Sequence, residues 1–206
     1  MFVLKAVLSI SFALFLAGCA GQADKPVTGN QPQNSNNETG AQTKTLEINS
    51  DSTEKIDSRR ENLLRQAEDM NRAFTAGDFE KLVDLTHPKL VEQAGGREKM
   101  LASIKSEMEK IKAAGFDFVS ISILAPKDLI KADADLFAVV PSILTVNTPK
   151  GKVVQNGSLV GISADNGENW KFVNGVDNER FKALFPNAAG KVILPEEKPP
   201  EAVQEK

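Results

Sequence analysis

The side chains able to do chemistry in this chain are few. Among 206 residues there is one histidine, one cysteine and no tyrosine. The histidine, His87, stands in "DLTHPKL", directly before a proline that suits a first helical turn. In that place it reads as a helix cap or surface residue before it reads as a general base. The cysteine, Cys19, lies far away in sequence, and one His with no second thiol excludes the common zinc arrangements. Carboxylates remain: Asp117 in an alternating stretch, and Asp128, Asp133 and Asp135 in or near "PKDLIKADADLF". An aspartate buried in an apolar pocket could act as a base, because burial raises its pKa. The simpler reading is that these are solvent-facing or loop charges. "KADADL" lacks a third ligand at a telling distance, so it is no metal motif. "NGSLVG" lacks the Gly-x-Ser-x-Gly of a nucleophile elbow. No catalytic constellation, cofactor motif or metal set emerges.

One short stretch has the look of a signature. "SADNGENW", residues 163–170, resembles the Asp-box hairpin of sialidases and other β-propeller proteins. A propeller carries several such boxes on separate blades. This chain has one, and its first half reads as helical. A local explanation is available instead. The Ser163 hydroxyl and Asp165 carboxylate can accept backbone N–H bonds across a turn. Gly167 permits positive φ, and Trp170 can lay its indole over the hairpin. A calcium loop is a poorer match, because an EF-hand wants Asp or Asn where Gly167 stands. The stretch reads as a structural turn.

The start of the chain speaks about location. "MFVLKAVLSISFALFLAGCAGQ" has a basic residue, Lys5, then a short apolar run ending in small residues. The run falls short of the roughly 20 apolar residues of a spanning helix and reads as a secretory signal. Leu16-Ala17-Gly18-Cys19 resembles the lipobox of bacterial lipoproteins, which implies acylation of Cys19 as the mature first residue. The resemblance implies a lipid anchor in a bacterial cell envelope. With Ala20 in place of the Asp that retains such proteins at an inner membrane, an outer membrane is favoured where one exists. Loss of Lys5 with the signal would make the formal net charge of −3 one unit more negative. That mild acidity gives no reason to expect nucleic acid as a partner.

Composition then divides the chain. Residues 1–18 read as signal peptide. Residues 19–54 are rich in Asn, Gln, Gly and Thr and read as a flexible tether, being too polar to offset their ordering entropy. Residues 55–188 read as one domain of ordinary size. Residues 189–206, Pro- and Glu-rich, read as a disordered tail. The domain begins with helices. Ser58-Arg59-Arg60-Glu61 fits a capping box, and Leu63, Ala67, Met70 and Phe74 make one apolar stripe. Asp78 and Pro88 suit the starts of two short helices. A long helix from Arg97 would bury Leu101, Ile104, Met108 and Ile111. The period then changes to strands: "FDFVSISIL", "LFAVVPSILTV", "KVVQNGSLVGIS" and "WKFV". Pro141 demands a bulge or an edge position, and Asn156-Gly157 suggests another bulge, with a second tight turn as the alternative. A short helix capped by Asp177 follows.

Helices first and a meandering sheet second indicate an α+β fold with N-terminal helices packed against a curved antiparallel sheet. The order is similar to that of the NTF2-like (SnoaL-like) superfamily over about Asp57 to Pro186. The likeness rests on "AFTAGDFEKLVDLTHPKLVEQAGGREKM" and "SLVGISADNGENWKFVNG". It implies a cone, and enzymes of that superfamily work inside it with Tyr, Asp and His; here the Tyr is missing. Candidates near the cone's mouth are His87, Phe116, Phe118, Phe137, Trp170 and Phe172. The expectation is a non-catalytic envelope lipoprotein that binds a small apolar ligand or an envelope protein, with a homodimer plausible by analogy. The alternative is an isomerase- or dehydratase-like enzyme using a carboxylate in the cone. The anchor is directly testable: replacing Cys19 by Ser should move the protein from the detergent phase to the aqueous phase in a detergent partition, and unchanged partition would remove the lipid anchor.

Overall fold

The computed structural model describes residues 50–196 and 198–203, with side chains from 58 onward. The signal, Cys19 and the tether up to residue 49 lie outside the described residues. In chain order the helices are α1 (Ser50–Ala76), α2 (Phe79–Leu85), α3 (Pro88–Gln93), α4 (Arg97–Ala113) and α5 (Asn178–Leu184). The strands are β1 (Asp117–Ile123), β2 (Ile130–Ala132), β3 (Asp135–Thr148), β4 (Gly151–Ser163), β5 (Lys171–Val173) and β6 (Glu201–Ala202). Among the described residues no helix is long and apolar enough to cross a membrane.

The sheet is built on one long ribbon. β3 and β4, both rich in β-branched residues, pair in unbroken register from Leu136 with Ser163 to Thr148 with Gly151. Pro149-Lys150 makes the tight turn between them. Each flank of the ribbon then carries two short strands. On the β3 side β1 pairs with residues 142–147 and β2 with residues 135–137. On the β4 side β5 pairs with residues 160–162 and β6 with residues 153–154. All pairings are antiparallel, and the curved sheet stays open.

Pro141 causes no bulge in this ribbon. Its carbonyl accepts from Leu124 N at 2.9 Å, just past the end of β1, so its missing N–H faces the gap between β1 and β2. That is an edge position within an otherwise central strand. Asn156-Gly157 causes no bulge either, being held in continuous pairing with Ile143 and Ser142. The register shift falls in β1 instead, between Phe118 and Ser120. There the extra residue, Val119, is exposed. The bulge lets Phe118, Ile121 and Ile123 all face the helices, although an odd spacing would otherwise send Phe118 to the opposite side.

α1 starts earlier than the capping box suggests. No glycine or proline interrupts Ser50–Ala76, so the helix runs through Ser58, which sits inside it. It buries Leu63, Ala67, Met70 and Ala73, with Phe74 half-buried at the end of the stripe. In α4 the buried seam is Met100, Ile104, Met108 and Ile111; Leu101 is half-buried, one residue off the seam. The short helices start at side-chain caps. Asp78 accepts from Lys81 N at 3.1 Å, and Asp177 accepts from Arg180 N at 2.8 Å.

α1 comes down onto the middle of the sheet at Gly161. A Cβ placed on Gly161 would stand 2.5 Å from Leu63 Cδ1 and 3.1 Å from Trp170 Cε3. Only glycine leaves room there for both side chains, and both are fully buried. The turn 163–170 clamps the same helix from the side. Within it Ser163 Oγ accepts from Gly167 N at 2.8 Å, and Asp165 Oδ1 accepts from Asn169 N at 2.9 Å. The Asn169 backbone N–H, then the Asn169 side-chain amide, and less strongly the Ser163 hydroxyl and the Glu168 N–H, hold the Asp165 carboxyl down at about 2. Gly167 has φ of 93°, and any Cβ on it would strike Arg59. Outward from the turn, Gln66 accepts from Trp170 N and donates to Glu168 O, each at 2.8 Å, while Asn62 donates to Gly167 O at 3.2 Å. Trp170 Nε1 completes the turn by donating to Gly167 O at 3.1 Å.

On the other face of the ribbon α5 supplies the cover. Phe137 points away from α1, and its ring meets Phe181 at 6.2 Å and Phe185 at 5.8 Å, both edge-on. The chain then continues beyond residue 188 as placed structure rather than as a loose tail. Val192 and Leu194 are buried. The Asn178 amide grips Leu194 through both its N–H, at 2.9 Å, and its carbonyl, at 3.1 Å. β6 then adds to the edge of β4. Two apolar residues and one amide thus order a segment whose overall composition is that of a disordered tail.

Gly161→Ala is expected to cost about 1–3 kcal/mol through overpacking, read as a lower urea midpoint with an unchanged slope. An unshifted midpoint would show that α1 can lift off the sheet freely.

Candidate functional site

Between the helices and the sheet lies a partly open cleft of about 100 Å³. The helical wall is made by Met70, Asn71 and Phe74 of α1, Leu82 of α2, Thr86 just after it, and Ile104 of α4. The sheet contributes Phe118, Ile121 and Ile123 from β1, Ser142 and Leu144 from β3, and Leu159 from β4. Asn174, following β5, completes the rim. At one end Phe74 and Phe118 meet edge-on with centroids 4.9 Å apart, which joins α1 to β1.

The space exists because the middle of the sheet face is built from small residues. Ser142 points into the cleft, and the register places Gly157 directly opposite it on β4. On the same face their neighbours along the two strands are larger: Val140 and Leu144 on β3, Gln155 and Leu159 on β4. A small pair set among large ones leaves a void under helices that are held at fixed height by the Leu63 contact. Gly157 was legible only as a turn or bulge signal; a glycine inside a paired strand also marks close approach or open space.

Among the described residues, none that lines the cleft has an ionisable side chain. The polar groups there are amides and hydroxyls. Thr86 Oγ1, at the C-cap of α2, donates back to Leu82 O at 2.9 Å. Asn71 donates from Nδ2 to Ile121 O at 2.7 Å, tying α1 to the outer edge of β1. Its Oδ1 is buried without a hydrogen-bond partner. The Ser142 and Asn174 side chains make no hydrogen bond with any described residue.

Of the residues singled out in the sequence, Phe118 lines this cleft. Phe116, Phe137, Trp170 and Phe172 are buried in the core and do not line it. His87 caps α3, its Nδ1 accepting from Lys89 N at 3.2 Å, and its ring stands edge-on to Phe185 at 4.9 Å. Burial, then the positive charge of Lys89, and less strongly that of Lys171, push its pKa down to about 4, against an opposing pull from Asp135. Asp117, Asp128 and Asp133 are exposed, and Asp135 is half-buried; none lines the cleft. Asp133, at φ of 54°, helps make the tight turn between β2 and β3. Among the described residues no three His, Cys, Asp or Glu side chains gather as a metal site would need.

Comparison with protein-family models, with curated proteins and with solved structures gave no match to the chain.

His87 gives the domain a pH response with a definite sign. A base whose folded pKa lies below its unfolded value stabilises the fold while neutral. Its contribution is complete above about pH 6.5 and is lost as pH falls toward 4. The melting temperature should therefore drop across that window, and His87→Asn, which keeps a capping acceptor, should flatten part of the drop. Parallel melting curves for both proteins would mean that His87 titrates like an exposed imidazole.

Proposed function

We propose that this domain holds a small apolar molecule in the cleft between α1, α2, α4 and the sheet. Displayed from a bacterial envelope membrane through acylated Cys19, it would serve as a receptor or carrier rather than a catalyst. The observation that carries the reading is the cleft itself: apolar walls, a few neutral polar groups, and partial access to solvent. Its position between the helices and the concave sheet face is where the NTF2-like cone, which the sequence resembles, has its cavity. An isomerase- or dehydratase-like reading needs an acid or base at the reacting centre. Asp117, Asp128, Asp133 and Asp135 stand away from the wall, so nothing in the geometry favours that reading over binding.

The test compares the chain from residue 19 onward, carrying Cys19→Ser, with the same chain also carrying Ser142→Leu. The leucine would fill the space over Gly157 and is expected to stabilise the domain by about 0.5–2 kcal/mol, as cavity-filling changes do. Native mass spectrometry should show a small-molecule mass excess on the first protein that is missing from the second. A clean mass for both proteins, together with no thermal shift on adding small hydrocarbons, would reject the cleft as a binding site.

A further inference from the structure

The chemistry of the wall narrows what the cleft can take. It presents two polar side chains with no hydrogen-bond partner among the described residues, Ser142 and Asn174, on a mostly apolar surface. Asn174 continues β5 past Val173, which pairs with Val160, so it stands beside Leu159 on the helix-facing side of the sheet. Ser142 lies on β3, on the far side of β4 from β5 and two residue pairs further along the ribbon, opposite Gly157. Both side chains line the cleft, at separate points of its floor. Between them they offer donors and acceptors: a hydroxyl, an amide N–H₂ and an amide carbonyl.

Charge is the second constraint. With no Lys, Arg, His, Asp or Glu among the described residues of the wall, a buried carboxylate or ammonium would find no counter-ion there and would keep most of its desolvation cost. Asn71 sharpens the discrimination. Its donor is spent on Ile121 O, and its buried Oδ1 is left unpaired beside the wall. The uncompensated negative end of that dipole disfavours an anion and favours a ligand hydrogen. We infer that the cleft takes an uncharged molecule with an apolar body and one hydroxyl-type polar tip, the tip bound by Ser142 or by Asn174. This rests on the cleft being a binding site, and it adds the ligand's charge and polar group.

Matched probes separate the two levels. The chain from residue 19 onward, carrying Cys19→Ser, would be titrated calorimetrically at pH 7 with n-hexanol, n-heptane and hexanoate, and again after Ser142→Ala and Asn174→Ala together. Neither side chain has a hydrogen bond to lose among the described residues, so the double variant should keep its fold, checked by its melting temperature. Hexanol is expected to bind at least about tenfold more tightly than hexanoate, because the anion stays unpaired. The double variant should weaken hexanol by about three- to tenfold, the worth of a net hydrogen bond or so, and leave heptane unchanged. Hexanoate binding as well as hexanol, or hexanol unaffected by the double variant, would overturn the inference while leaving an apolar cleft. Binding of none of the three would overturn the cleft and the inference together.

Discussion

The rest of the structure depends on Leu63 resting on the bare backbone of Gly161. This contact sets the height of α1 above the sheet, and Trp170 closes over the same glycine from the side. Neither partner could hold the helix alone. A leucine on a glycine has little directional preference, so orientation comes from the polar clamp next to it, where Asn62 and Gln66 reach the backbone of the 163–170 turn. Burial thus supplies the attraction and the hydrogen bonds supply the angle. The cleft is a by-product of the arrangement: with α1 seated on Gly161 near one end and tied to β1 through Asn71 and Phe74 near the other, it cannot settle onto the small residues between.

This division explains which parts of the architecture were readable from the residues. Local rules located the caps at Asp78 and Asp177, the proline start of α3, and the long strands, because each is decided within a few residues. The features that needed distant partners were hidden. β2 and β6 are three and two residues long, and only their neighbours on the ribbon make them strands. Met100 and Leu101 are equally apolar neighbours, so the sequence could not say which one the core would choose. Pro141 was rightly a difficulty for a central strand, and the answer lay in where β1 happens to stop.

The site was less legible than the fold, for a physical reason. Aromatic residues attract attention as pocket builders because they are large. Size is also why Phe137, Phe172 and Trp170 are fully buried, since they have the most apolar surface to remove from water. The cleft is lined chiefly by medium-sized aliphatics with a few neutral polar groups, none of which is conspicuous in a sequence. Phe118 reaches it only because Val119 is an extra residue in β1, and no pattern of alternation announces a bulge in advance. The helix-capping role of His87 was readable, whereas its contact with Phe185, far along the chain, was not.

The pairing of Gly157 with Ser142 has a bearing on how such a domain could diversify. The two positions pair with each other within the unbroken β3–β4 register, which their side chains do not set, and both are remote from the Gly161 seat and the polar clamp. The size of the void is therefore uncoupled from the contacts that hold the helices in place. Descendants of one ancestral gene could accept larger or smaller guests through single methyl-sized steps at these two sites, with the scaffold unaltered. A cleft defined by missing atoms on a rigid ribbon is in this sense an adjustable gauge, open to selection long before any new fold is needed.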